Sequence, residues 1–123
     1  MPPKARVVLD TARLDSLVEE IGSRDLVLQA IQAFLDELPD RLITIRTSLA
    51  TEDSGLIRGA AHALGSPASM LGAVAVAART RTLSDAVAEG KRTGLHRLVD
   101  AILIDAEVTA ADMRAYLASD RPV

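Results

Sequence analysis

The chain holds two histidines, His62 and His96, and no cysteine, so any nucleophilic or metal chemistry near neutral pH has few places to occur. His62 lies within Gly55-Leu-Ile-Arg-Gly-Ala-Ala-His-Ala-Leu-Gly-Ser-Pro-Ala-Ser-Met-Leu-Gly-Ala73. At a helical period Ile57, Ala60, Ala61, Leu64, Ala68 and Leu71 fall in one stripe and His62 on the other side, which predicts an imidazole facing water or a partner. Its neighbours on that outer face are Gly55, Arg58, Gly59, Gly65, Ser66 and Ser69. All but Arg58 are Gly or Ser, although each Gly costs a helix roughly 1 kcal/mol relative to Ala. A surface trimmed in this way lets a large partner bring its own reactive group up to the ring. The plain alternative is a surface histidine in an Ala-rich helix, and on geometry alone both readings stay open.

A solvent-facing imidazole can offer the lone pair of one ring nitrogen for attack on phosphorus, for general base catalysis or for a metal. General acid–base work needs a pocket and an orienting group. The carboxylates Asp85, Glu89, Asp100 and Glu107 show no catalytic spacing and read as solvated helix faces. A zinc site is disfavoured with two histidines and no thiolate, and no metal or cofactor is expected. Phosphate loops, nucleophile elbows and zinc-protease motifs are absent, so no self-sufficient enzyme site is visible. Nucleophilic phosphoryl transfer asks least of the chain, provided that a partner supplies the metal ion and the phosphate-positioning groups. His96 reads as an ordinary surface residue of the last helix.

The surrounding chain must position His62 with little aromatic material. Of 123 residues 49% are apolar but only 2% aromatic, namely Phe34 and Tyr116, so the core is built from Leu, Ile, Val and Ala, a composition suited to helix-on-helix packing. A net charge of −3 with dispersed Lys and Arg, and no stacking platform, argues against nucleic acid as a partner. No apolar run is long enough for a signal peptide or a membrane span, and a cytoplasmic monomer with no membrane contact is expected.

Periodicity and punctuation then predict the elements. Residues 1–9 form an extended lead-in, with Val7, Val8 and Leu9 available for burial. Asp10 caps a short helix carrying Leu14, Leu17, Val18 and Ile21, which Gly22 ends. Ser23 caps a long helix with Val27, Ile31, Phe34, Leu35, Leu38, Leu42, Ile45 and Leu49 in its stripe and a kink expected between Leu35 and Pro39. The His62 helix spans about 54–70, where Pro67 deprives the Ala63 carbonyl of its helical donor and predicts a bend or an early end. A fourth helix, about 73–89, carries Val76, Thr80, Leu83 and Val87 and is closed by Gly90. Thr93 is the expected cap of a fifth, with Leu95, Leu98, Val99, Ile102, Ala106, Thr109, Met113 and Leu117 repeating at the helical step. The predicted fold is all-α: an antiparallel four-helix bundle with a short additional N-terminal helix, a single domain over 10–118 and a frayed tail over 119–123.

The run His62-Ala-Leu-Gly-Ser-Pro-Ala-Ser-Met-Leu-Gly-Ala73 resembles the signature of histidine-containing phosphotransfer (HPt) domains, in which a Leu two residues after the His, a Lys-Gly-Ser and a Leu-Gly-Ala triplet follow in register. Leu64 and Leu71-Gly72-Ala73 match it. So do Leu9-Asp10, Glu19-Glu20-Ile21-Gly22, Phe34-Leu35, Glu37-Leu38-Pro39 and Ala60-Ala61, which extends the likeness over about residues 8–90. The sequence departs from the family where its usual Lys, Gly and Ser are Gly65, Ser66 and Pro67. The resemblance implies a phosphocarrier: His62 accepts a phosphoryl group from the aspartyl phosphate of a receiver domain, in a response regulator or hybrid histidine kinase, and passes it to another. It also implies a docking face at Arg58, Gly59, Gly65, Ser66 and Ser69, with the Mg²⁺ held by the receiver. Arg58, or Arg79 and Arg81 on the next helix, are candidates to replace the lost Lys, the plain alternative being ordinary solvated arginines. A reading from a different class is kept open by Gly65 and Pro67, namely a bundle that binds a receiver or kinase and modulates it without carrying phosphate.

Overall fold

The computed structural model describes residues 7–119; residues 1–6 of the expected 1–9 lead-in and 120–123 of the expected 119–123 tail lie outside the described residues. Five helices follow in order: α1 (Thr11–Ile21), α2 (Arg24–Thr51), α3 (Ser54–Met70), α4 (Val74–Ala88) and α5 (Leu95–Ser119). No strand occurs among the described residues. The short connections at 52–53, 71–73 and 89–94 fold α2 to α5 back on one another, each packs on its chain neighbour, and α2 packs on α5 to close the ring. Helix α1 packs on α2. This is the expected four-helix bundle with its small leading helix.

Local chemistry explains the boundaries. Asp10 Oδ1 accepts the Arg13 N–H at 3.3 Å at the start of α1, and Gly22, at φ +77°, ends it. Ser23 Oγ accepts the Leu26 N–H at 3.2 Å, with Asp25 in the first turn of α2 where the helix dipole favours a negative charge. The predicted kink region at Leu35 to Pro39 lies within one continuous helix, with Pro39 on its exposed side. Thr93 does not cap α5: the Leu98 N–H bonds the Gly94 carbonyl at 3.2 Å, and Gly94 takes φ +79°, a conformation open to glycine.

The stripes read from periodicity are the core. Leu14, Val27, Ile31, Ile45, Leu64, Val76, Leu83, Ile102 and Met113 are fully buried, each contributing about 1.5–3 kcal/mol by burial. Ile21 departs from its expected stripe and is exposed, because α1 ends there and presents only Leu14 and Leu17 fully to the core. Of the lead-in hydrophobes, Leu9 is buried and Val7 is exposed. Leu9 is held in place by its neighbour: the Asp10 N–H donates to the Gly72 carbonyl at 2.7 Å, tying the start of α1 to the α3–α4 turn. The buried threonine hydroxyls are satisfied within their own helices, Thr80 Oγ1 donating to the Ala77 carbonyl at 3.0 Å and Thr109 Oγ1 to the Asp105 carbonyl at 2.7 Å.

Candidate functional site

Helix α3 begins at Asp53, whose Oδ1 accepts the Leu56 N–H at 3.1 Å. From that start the 3.6-residue period turns Ile57, Ala60, Ala61, Leu64 and Ala68 inward and leaves His62 exposed. The helix continues through Pro67 to Met70, so the predicted early end does not occur. The donor missing at Pro67 is replaced from α2: Arg41 Nη1 donates to the Ala63 carbonyl at 3.0 Å.

His62 opens onto a groove of about 640 Å³ between α3 and α4, closed at one end by α1. Helix α3 supplies His62, Gly65, Ser66 and Ser69, α4 supplies Thr80, Arg81, Ser84 and Asp85, and α1 supplies Arg13. Arg13 is anchored by Glu20, its Nη1 lying 3.1 Å from Glu20 Oε1. The groove is open, its lining is mixed polar and apolar, and it carries two cations, Arg13 paired with Glu20 and Arg81 one turn from Asp85, that can meet an anionic group.

The predicted site residues are divided by the fold. His62, Gly65, Ser66, Ser69 and Arg81 come together in the groove. Arg58 and Gly59 are exposed on the preceding turn and do not line it. Arg79 points to the other side of α4, where its Nε lies 2.9 Å from the carboxylate of the buried Asp105 on α5, so it is not placed to replace the lost Lys in the groove. Gly65 is half-buried in the α3–α4 seam and is not open outer surface. A β-carbon there would lie 2.5 Å from Thr80 Oγ1 and 3.3 Å from Thr80 Cβ, so the room left by the missing side chain is taken by α4.

Arg13, Thr80, Ser84 and Asp85 were not among the predicted site residues. Thr80, Arg81 and Ser84 share one helical face, and the short 71–73 connection makes α4 the neighbour of α3, so that face was recoverable from spacing. Arg13 reaches the groove through tertiary packing and left no local signal. His96 is exposed near the opposite end of the bundle, beside a smaller cavity of about 170 Å³ rimmed by Lys91 and Arg92. Among the described residues no group of three or more His, Asp or Glu side chains could hold a metal ion, and no helix is long and apolar enough to cross a membrane.

Comparison with known proteins bears on what such a groove serves. The family model for the Hpt domain matches residues 29–114, well over half of the chain, including all of α3 and α4. The chain belongs to the Hpt family. Hpt membership supports a histidine phosphotransfer role in phosphorelays. None of the curated proteins matches the sequence. Among solved structures the chain is similar to histidine-containing phosphotransfer protein B (HptB) from Pseudomonas aeruginosa PAO1, at 20% identity with a TM-score of 0.84, over 95% of this chain and 100% of that one. At that identity the likeness shows the Hpt fold. The family match runs past the segment whose motifs carried the resemblance and takes in most of α5.

Proposed function

We propose that this Hpt chain is a phosphocarrier in which His62 accepts a phosphoryl group from the aspartyl phosphate of one receiver domain and delivers it to the aspartate of another. The observation that carries the reading is the exposed His62 at the mouth of a groove holding Arg13 and Arg81, on a chain that belongs to the Hpt family. A ring nitrogen of His62 attacks phosphorus, the N–P bond forms as the acyl P–O bond breaks, and the receiver's carboxylate leaves as an anion. The reverse sequence on a second receiver returns the imidazole. Arg13 and Arg81 offer positive charge from the groove, taking the place of the family's usual Lys, which is Gly65 here, and a Mg²⁺ held by the receiver would supply further charge neutralisation. Ser66 and Ser69 leave the approach to the ring unobstructed, and Arg58 and Gly59 extend the docking face over the preceding turn.

A phosphate-affinity gel tests this. Incubated with a phosphorylated receiver domain, the chain should give a retarded band that is lost in acid, survives alkali and is absent from His62→Gln. A receiver that binds with no retarded band would support a modulator without phosphate, and a band retained in His62→Gln would remove His62 from the role.

A further inference from the structure

Pro67 has no N–H to give the Ala63 carbonyl, and Ala63 is the residue after His62. A freed carbonyl in a helix tilts outward and loosens the turn that contains it. Ala63 is exposed, so water alone could satisfy its oxygen. The bond comes instead from a neighbouring helix, Arg41 Nη1 of α2 at 3.0 Å. The other arm of the same guanidinium, Nη2, lies 2.7 Å from Glu37 Oε2, one turn earlier on α2. Glu37 thereby fixes the planar fork in the orientation that reaches α3. A water at this oxygen would satisfy it and fix nothing, whereas the guanidinium ties the His62 turn to α2.

We propose that Arg41 is a positioning residue for His62: it supplies the donor that Pro67 lacks and, through the Ala63 carbonyl, sets the orientation in which the imidazole enters the groove. Its consequence for phosphoryl transfer rests on the reading of His62 as the phosphoryl acceptor, while its consequence for the ring does not. Pro67 and Arg41 are therefore one device. Proline removes an internal bond of the helix, and arginine replaces it with an external one.

The test is a double-mutant cycle on the full chain: wild type, Arg41→Met, Pro67→Ala and the double variant, with Arg41→Lys as the conservative control. Each is checked for native helicity by circular dichroism. Two readouts are taken, the ring ¹H–¹³C resonances of His62 and the initial rate of His62 phosphorylation by phosphoramidate, a small donor that needs no receiver. In the Pro67 background Arg41→Met should move the His62 ring resonances and slow phosphorylation roughly three- to tenfold, since a charge-assisted bond that orients the nucleophile is lost. In the Pro67→Ala background the backbone N–H that the substitution restores serves the Ala63 carbonyl, and the same change should alter the rate less than about twofold and leave the ring resonances in place. Arg41→Lys, which keeps the charge but not the fork, should recover part of the rate. Equal losses in both backgrounds would show that Arg41 acts by charge alone and would overturn the proposal, as would wild-type resonances and rate in Arg41→Met. If wild type takes no phosphate from phosphoramidate, the rate is read with a phosphorylated receiver as donor, and the carrier reading fails if neither donor transfers. The ring resonances then decide Arg41 alone, a shift confined to the Pro67 background supporting it and any other pattern overturning it.

Discussion

Two glycines on one helix should respond to alanine with opposite signs. Gly59 and Gly65 both lie inside α3. A β-carbon at Gly59 meets nothing within 4 Å, so Gly59→Ala should collect the ordinary gain of a better helix former and a less flexible unfolded chain, about 0.5–1 kcal/mol. Gly65→Ala has the same gain available, about 1 kcal/mol. Against it stands the β-carbon 2.5 Å from Thr80 Oγ1 and 3.3 Å from Thr80 Cβ. Thr80 is buried, so its side chain cannot swing into solvent, and turning it breaks the bond to the Ala77 carbonyl at 3.0 Å. Overpacking of this kind costs about 1–3 kcal/mol and the lost hydrogen bond about 1 kcal/mol more. The net expectation is a loss of about 2 kcal/mol, a fall in Tm of roughly 8 °C for a domain of this size. Urea melts followed at 222 nm on wild type, Gly59→Ala, Gly65→Ala and Gly65→Ala/Thr80→Ala measure it, and the last should regain part of the loss. Gly65→Lys, which restores the family's usual residue, carries the same β-carbon and should also destabilise. A Gly65→Ala protein as stable as wild type would refute the idea that α4 occupies the space of that side chain.

Other substitutions probe the elements around the groove. Gly72→Ala should cost about 2–4 kcal/mol in a denaturant melt, because φ is +75° and the new β-carbon would lie 2.7 Å from the Asp10 carbonyl oxygen. Asp53→Ala removes the cap of the His62 helix and should cost about 1 kcal/mol, with faster amide exchange at Leu56 as the local sign. Arg81→Met should slow transfer from a phosphorylated receiver roughly tenfold by removing a groove cation, whereas Arg79→Met should leave the transfer rate within about twofold and show instead as lost stability, since it removes one ion-pair partner, at 2.9 Å, of the buried Asp105.

Much of this architecture is legible from spacing because the core is aliphatic and the helices are long. Asp10, Ser23 and the glycines at 22 and 90 punctuate the chain as their chemistry predicts, and the four long stripes are the buried faces. The prolines were the hard positions. A local rule sees Pro67 remove a donor, but only the folded bundle brings Arg41 of α2 to the Ala63 carbonyl, a pairing across distant parts of the chain. Gly65 posed the same difficulty. Local reasoning reads its missing side chain as room for a partner, while the approach of Thr80 from α4 fills that room. Arg13 joins the groove for a related reason, since the bond from Asp10 to Gly72 docks the start of α1 against the α3–α4 turn. Arg79 and Arg81 are close in sequence, yet the helical period sends one to Asp105 and the other to the groove.

The central claim is that His62 both takes and gives a phosphoryl group, and a pulse-chase of radiolabelled phosphate tests it most directly. Label from a phosphorylated receiver should appear on this chain, on His62 and not on His62→Gln, and should leave it when a second, unphosphorylated receiver with Mg²⁺ is added. Label that never appears on the chain, or that persists in His62→Gln, would contradict the account.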